Sequence, residues 1–299
     1  MSIFSLTSTT LTGMKPVYGL PVKTIEGGFR GTGVANVDAF YHTPVDRDQF
    51  IANSGNVEFE NESKIIEIAK NSPRVMELLK EHKILKSGFL FNVGVEDVVN
   101  IEALKKLRDG HLKSTLALVN GMYDKLPEEL KSQVNLSDLQ VAAKLHDYGK
   151  VLIPKQIYEK QGSFTPEEKK IMELHSELGH ELLKAQGVKE SVCKLVKYHH
   201  QRPDGSGYPA IKDSDDFEYG ISSQMLAAAD KYSALTESRC YRKEKCTRVQ
   251  ALSIIQEDVK AGLISQEVFD ALINASAEYE KNEKDKEESK QKKSLQTVR

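Results

Sequence analysis

Residues 199–209 read His-His-Gln-Arg-Pro-Asp-Gly-Ser-Gly-Tyr-Pro, and no other stretch constrains the chain as strongly. Two glycines and two prolines end regular structure, so the helical run over about 188–199 has to stop here. The adjacent imidazoles carry four ring nitrogens that need partners when buried. A core supplies such partners poorly. A metal supplies them well, because neutral imidazole is the commonest metal ligand. A fold that uses this pair must therefore bring further ligands to it from distant segments.

The chain has those ligands to bring. Its histidines stand at 42, 82, 111, 146, 175, 180, 199 and 200. His146 lies in Leu145-His146-Asp147-Tyr148-Gly149-Lys150, and Asp230 in the alanine-rich run from Met225 to Thr236. Helical spacing surrounds them. A helix over 100–126 holds His111. Ser137 with Gln140 reads as a capping box, opening a helix that sets Leu139, Ala142, Ala143 and His146 on one face. Thr165-Pro166-Glu167-Glu168 is a second start signal; its helix turns Ile171, Leu174, Leu178 and Leu182 inward with His175 beside them. Further helices are predicted over about 222–236, 246–260 and 265–279. Two short amphipathic helices, broken at Ser72-Pro73, precede all of these.

The order His111, His146-Asp147, His175, His199-His200, Gly207-Tyr208-Pro209, Asp230 resembles the HD-GYP family of metal-dependent phosphohydrolases, over about residues 95–275. The resemblance implies an all-α, HD-type helical bundle with a binuclear metal site. Before it stands a small irregular or helical N-terminal region. The chain divides accordingly into an irregular leader (1–57), a short helical region (58–95), a catalytic domain (96–279) and a charged tail (280–299). Residues 280–293 read as a frayed helix end or a disordered tail.

Family resemblance assigns His111, His146, Asp147 and Asp230 to a core ligand set, completed by His175, His199 and His200. Asp147 has two oxygens and directly follows a ligand, which suits it to bridge two ions. The cofactors implied are two divalent metal ions. A His/carboxylate set without thiolate admits iron, manganese, cobalt or zinc, and the resemblance favours iron or manganese. Trinuclear relatives carry Glu where this chain has Leu107, which cannot ligate, so two ions are expected and not three. Lys150, three residues after Asp147, is expected to reach the substrate phosphate. Arg239 and Arg242 have the fork geometry for bidentate phosphate contact and match a nucleotide-contacting pair in relatives. In the loop, Asp204, Gly205, Gly207 and Pro209 shape the turn, with both glycines free to take positive φ and Arg202 and Asp204 able to pair. Tyr208 is offered for substrate stacking or partner contact. Gln201 replaces the Glu usual in relatives, which removes a charge near the site and weakens a contact to a ligating histidine.

Each assignment has a plainer alternative. His111 alone is better read as a packed or surface histidine, and His175 alone is evenly balanced. His42 and His82 read as surface residues, and His180 stands about 140° round the helix from His175. It is the linked set that outweighs those readings.

The implied activity is hydrolysis of cyclic di-GMP, with linear pGpG or GMP as the product. Two alternatives stand beside it: a catalytically inactive cyclic-dinucleotide receptor or scaffold, and a hydrolase of another cyclic dinucleotide. Implied partners are cyclic di-GMP and, through the Gly-Tyr-Pro loop, a diguanylate cyclase (GGDEF) domain; a homodimer is also admitted. A net charge of −2 gives no electrostatic case for duplex nucleic acid or an acidic membrane surface. No run of 18 apolar residues spans a membrane. Cys193, Cys240 and Cys246 form no CxxC pair and suit a reducing compartment, so a cytoplasmic location is expected.

Overall fold

The computed structural model describes residues 61–85, 93–212, 217–237 and 245–297. The expectations for the 1–57 leader, His42, Arg239 and Arg242 lie outside these residues. Every regular element among them is helical, and none is a strand. None of these helices is long and apolar enough to cross a membrane.

Helices α1 (Glu62–Asn71) and α2 (Pro73–Glu81) divide at Ser72, as the Ser-Pro pair predicts. Ser72 ends the first helix and its Oγ accepts from Val75 N to begin the second. Ile65, Ala69, Val75 and Leu79 are fully buried, so this hairpin joins the same core as the helices that follow.

Helix α3 (Ile101–Asp109) and α4 (His111–Lys125) replace the single helix expected over 100–126. Gly110, at φ −115° and ψ −95°, breaks the run between them. Helix α5 spans Leu136–Leu145 and is capped by Asn135, whose Oδ1 accepts from Asp138 N at 3.1 Å. The expected Ser137 cap is thus displaced by two residues, and Gln140 instead donates to Asn120 Oδ1 on α4. Asn and Ser cap about equally well, so position in the tertiary structure chose between them.

A 3₁₀ turn (Tyr148–Leu152) follows α5. Helix α6 (Pro166–Glu173) starts with the predicted Thr165–Glu168 capping box. It ends where a continuous helix was expected: its last turn tightens through Leu174 N to Ile171 O, and α7 (His175–Ala185) begins one residue later. Helices α8 (Glu190–Tyr198), α9 (Ile221–Thr236), α10 (Arg248–Lys260) and α11 (Gln266–Thr297) complete the chain. The last of these passes through 280–293 without a break, supported on its exposed side by pairs such as Lys286 with Glu283.

Helix α4 is the centre of the bundle, packed by α11, α9, α5 and α3. Ala228 and Ala229 on α9 are fully buried, and their small side chains let that helix approach closely enough to bring Asp230 inward. On the other side α7 packs against both α8 and the 3₁₀ turn. The closest contact there is backbone on backbone: a Cβ on Gly149 would overlap His175 O and Gly179 N.

Candidate metal centre

The seven sequence-predicted ligands converge, and six of them stand at or just beyond helix ends. His111 and His175 are the first residues of α4 and α7, and His146 and His199 terminate α5 and α8. Asp147 and His200 are the residues next in chain. Only Asp230 lies within a helix. The placement has a physical basis. The last carbonyls of a helix lack intrahelical partners, and a histidine three residues on can donate to one of them. His146 Nδ1 lies 3.0 Å from Ala143 O, His175 Nδ1 2.7 Å from Met172 O, and His199 Nδ1 2.6 Å from Val196 O. A carbonyl only accepts, so each Nδ1 carries a ring proton and each Nε2 is turned inward.

Those nitrogens meet in pairs. His175 Nε2 and His199 Nε2 are 3.2 Å apart, as are His111 Nε2 and His146 Nε2. Burial holds the His175 pKa at about 3, with Lys150 adding to the effect against the pull of Asp147. Burial and the neighbouring imidazoles hold His199 well below its ordinary value. Neither ring then takes a second proton near neutral pH, and two lone pairs oppose one another across a buried gap. A cation relieves that arrangement; protein groups alone do not.

Asp147 joins the two pairs. Its Oδ1 lies 3.4 Å from His175 Nε2, while its Oδ2 lies 3.5 and 3.6 Å from Nε2 of His111 and His146. Asp230 Oδ1 adds to the second group, 2.9 Å from His111 Nε2 and 3.6 Å from His146 Nε2. Three overlapping sets could each hold an ion: His175, His199 and His200; His111, His146 and Asp147; His146, His199 and Asp230. Burial acts to raise the Asp147 pKa, but Lys150, His146, His175 and His111 outweigh it and hold the carboxyl well below its usual range. His146 goes the other way: burial lowers its pKa, but Asp147 and Asp230 outweigh this and raise it. A positive charge is therefore favoured between the two carboxylates. The donor set, all imidazole and carboxylate, fits divalent iron, manganese, cobalt or zinc. Leu107, in α3, is buried and offers no donor atom.

The site opens on one side. His200 keeps 28% of its side chain exposed, Asp230 12% and Lys150 11%, against 1% for Asp147. Lys150 Nζ rests 2.6 Å from Asp147 Oδ2. Tyr208 stacks on His200 with ring centroids 4.7 Å apart, and burial, aided by the Asp230 charge, pushes its phenol up and keeps it protonated. His180 pairs with Glu181, away from this cluster.

The loop after His200 corrects three expectations. Gly205 does take positive φ, at +76°, but Gly207 does not. Gly207 is required by close approach, since a Cβ there would come within 2.5 Å of Gln201 Cα and 2.8 Å of Arg202 N. Asp204 caps the turn through Ser206 N at 2.9 Å, where a pairing with Arg202 was expected. Gln201 ties the loop together: its Oε1 accepts from Arg202 N (2.8 Å) and Gly207 N (3.0 Å), and its Nε2 donates to Pro209 O (2.7 Å). Both acceptor positions of this amide and one of its two N–H donors are spent on the loop backbone. Gln201→Glu is expected to set a carboxylate oxygen against Pro209 O and to cost about 1–3 kcal/mol at pH 8. The loss should shrink as the pH falls and the acid regains a proton to donate. Thermal melts at pH 8 and pH 5 check this, and equal destabilisation at both would count against it.

Titration gives a second expected result, for the metal-free protein. The folded pKa of His175 lies below its unfolded value of about 6.5. Falling pH therefore protonates the unfolded chain first, and stability is lost between about pH 6.5 and 3. By pH 4 the expected contribution of His175 is on the order of 3 kcal/mol. His199 acts in the same direction and His146 in the opposite one. The melting temperature should fall from pH 7 to pH 4, and less steeply in His175→Gln. A flat profile would contradict the assignment.

Sequence reasoning missed Ser233, Ser114 and Glu237, which gather on the outer side of His111. Asp230, Ser233 and Glu237 fall at i, i+3 and i+7, one helix face, and His111 and Ser114 at i, i+3. That spacing was the available signal.

Residues 99–268 match a family model described as HD domain. Among curated proteins the chain is 32% identical, over 64% of its length and 50% of the relative, to a cyclic di-GMP phosphodiesterase of Thermotoga maritima. It is 32% identical to the cyclic di-GMP phosphodiesterase response regulator RpfG of Xanthomonas campestris, over 58% of this chain and 46% of that protein. It is 28% identical to the 3'3'-cGAMP-specific phosphodiesterase 1 of Vibrio cholerae, over 62% and 44%. The chain thus spans about half the length of the curated relatives it matches.

Proposed function

The chain belongs to the HD domain family, and on that footing we propose that it hydrolyses a phosphodiester bond of cyclic di-GMP, giving linear pGpG, in the manner of the HD-GYP branch. The observation that carries this reading is Asp147, whose two oxygens face two separate histidine groups. Such a carboxylate suits a pair of ions. His111, His146 and Asp230 would hold one, and His175, His199 and His200 the other, with iron or manganese as the pair. Bound there, the ions supply an activated water and offset the charge of the phosphate.

The chain's own groups do the rest. The backbone carbonyls of Ala143, Met172 and Val196 keep ring protons off the ligating nitrogens. Depressed imidazole pKa values keep His175 and His200 neutral, at about 3 and about 4, so ligation displaces no proton from either. Lys150, on the open side, exchanges Asp147 for a phosphate oxygen when substrate enters. Arg239 and Arg242 hold further phosphate oxygens, and Tyr208 bounds the cleft beside His200. Asp204, Gly205 and Ser206 are exposed at the loop tip, which suits contact with a diguanylate cyclase domain.

One observation favours a second substrate. Lysine and arginine hold phosphate but do not read bases, and one relative is named for 3'3'-cGAMP. Manganese- or iron-loaded protein should therefore be incubated separately with cyclic di-GMP and 3'3'-cGAMP, with products followed by chromatography and metal content measured. The expected result is linear pGpG from the first and two ions per chain. Faster turnover of 3'3'-cGAMP would transfer the assignment to it. Binding without turnover of either would replace the enzyme with a receptor.

A further inference from the structure

We infer that Glu237, acting through Ser233 and Ser114, holds His111 in the tautomer that leaves its Nε2 available to a metal. The inference rests on the metal site proposed above and adds positioning residues to it. His146, His175 and His199 each give the Nδ1 proton to a backbone carbonyl, which side-chain substitution cannot remove. His111 gives it to side chains. Its Nδ1 lies 2.8 Å from Ser233 Oγ. Ser233 Oγ lies 2.5 Å from Ser114 Oγ and 3.2 Å from Glu237 Oε1, and Ser114 Oγ donates to that same Oε1 at 2.6 Å.

The direction of these bonds follows from their end point. An ionised carboxylate only accepts, so Ser114 gives its proton to Glu237, and Ser233 gives its own to Ser114 or to Glu237. Ser233 then has no proton to offer His111, and Nδ1 must be the donor. Without the carboxylate, Ser233 is free to donate to Nδ1. The ring proton is then held on Nε2 alone, where Asp230 Oδ1 accepts at 2.9 Å, and the nitrogen needed for ligation is blocked. Glu237 is well placed for this task. It follows the end of α9 but lies against the first turn of α4, where the positive end of that helix favours a carboxylate. Ser233 and Ser114 are almost wholly buried, so water does not compete for their protons.

The test uses the full chain as wild type, Glu237→Ala, Glu237→Gln and Ser233→Ala. Long-range ¹H–¹⁵N spectra of the imidazoles, recorded metal-free at pH 8, report which nitrogen of His111 is protonated; a His111→Gln spectrum assigns the signal. Wild type and Glu237→Gln, which keeps an acceptor oxygen, should show a protonated Nδ1. Glu237→Ala should strip the proton from Nδ1, leaving the ring protonated at Nε2 alone beside Asp230, while His146, His175 and His199 stay unchanged. Ser233→Ala should disturb His111 alone and serves if Glu237→Ala folds poorly. Titration with Mn²⁺ should show one of two sites weakened about 10–100-fold in Glu237→Ala, with the other unaffected. An unchanged His111 tautomer in Glu237→Ala, or equal loss at both sites, overturns the inference. If wild type binds no Mn²⁺, the proposed function fails, and the tautomer result still decides the role of Glu237.

Discussion

Asp147→Asn is expected to lower turnover of cyclic di-GMP by at least about 10³-fold, on the order of 4 kcal/mol of transition-state stabilisation. The substitution keeps the shape of the side chain and removes its charge. It also replaces one of the two inward-facing oxygens with an amide nitrogen that can only donate. Whichever way the amide turns, one histidine group faces an N–H in place of a carboxylate oxygen. Metal content should therefore fall from two ions to one or fewer per chain. Lys150 loses a partner at 2.6 Å, but it lies on the open side and can turn to water, so the fold should survive. Metal analysis and product chromatography on the same preparation make the check. Two retained ions with turnover within tenfold of wild type would remove Asp147 from the bridging position.

Gly149→Ala is expected to be as damaging by a different route. The added Cβ would overlap His175 O and Gly179 N, both backbone atoms of α7. Neither can swing aside as a side chain can, so the 3₁₀ turn and α7 must separate. Overpacking of this kind costs about 1–3 kcal/mol or more, which lowers the melting temperature of a chain this size by several degrees. The site should suffer more than the fold. The turn carries Asp147 and Lys150, and α7 begins with His175, so their separation stretches the 3.4 Å approach of Asp147 Oδ1 to His175 Nε2. Loss of metal at the His175, His199 and His200 group, measured by Mn²⁺ titration, should accompany the fall in melting temperature. Gly187→Ala is the control, since a Cβ there meets nothing within 4 Å although its φ is +76°. It should cost only local strain and leave metal binding intact. Equal behaviour of the two variants would show that the Gly149 contact does not position the site.

Much of the helical layout was legible because burial imposes a period. The Ser72-Pro73 break, the Thr165–Glu168 box and the inward faces of α5 and α7 follow from side chains meeting solvent or core at every turn. The breaks at Gly110 and Leu174 were not legible, because apolar residues keep helical spacing on both sides of each. They matter, since they put His111 and His175 at helix starts. The caps show the same limit: Asn135 and Ser137 both have the chemistry to cap α5, and the structure uses Asn135. Gln201 shows it at the site itself. Its identity suggested a weakened metal contact, and its geometry makes it the tie of a loop.

By itself the amino-acid order determined which donors exist, that they ride on helices, and that they contain no thiolate. Those are properties of residue type and local period, which need no knowledge of distant neighbours. Only the tertiary structure decided that the imidazoles oppose one another at 3.2 Å, that Asp147 divides its oxygens between two groups, and that a carboxylate past the end of α9 reaches the outer side of His111. Each of these turns on angles and ångström separations between residues more than 100 positions apart in some cases, and the close packing of α4, α9 and the 3₁₀ turn sets them.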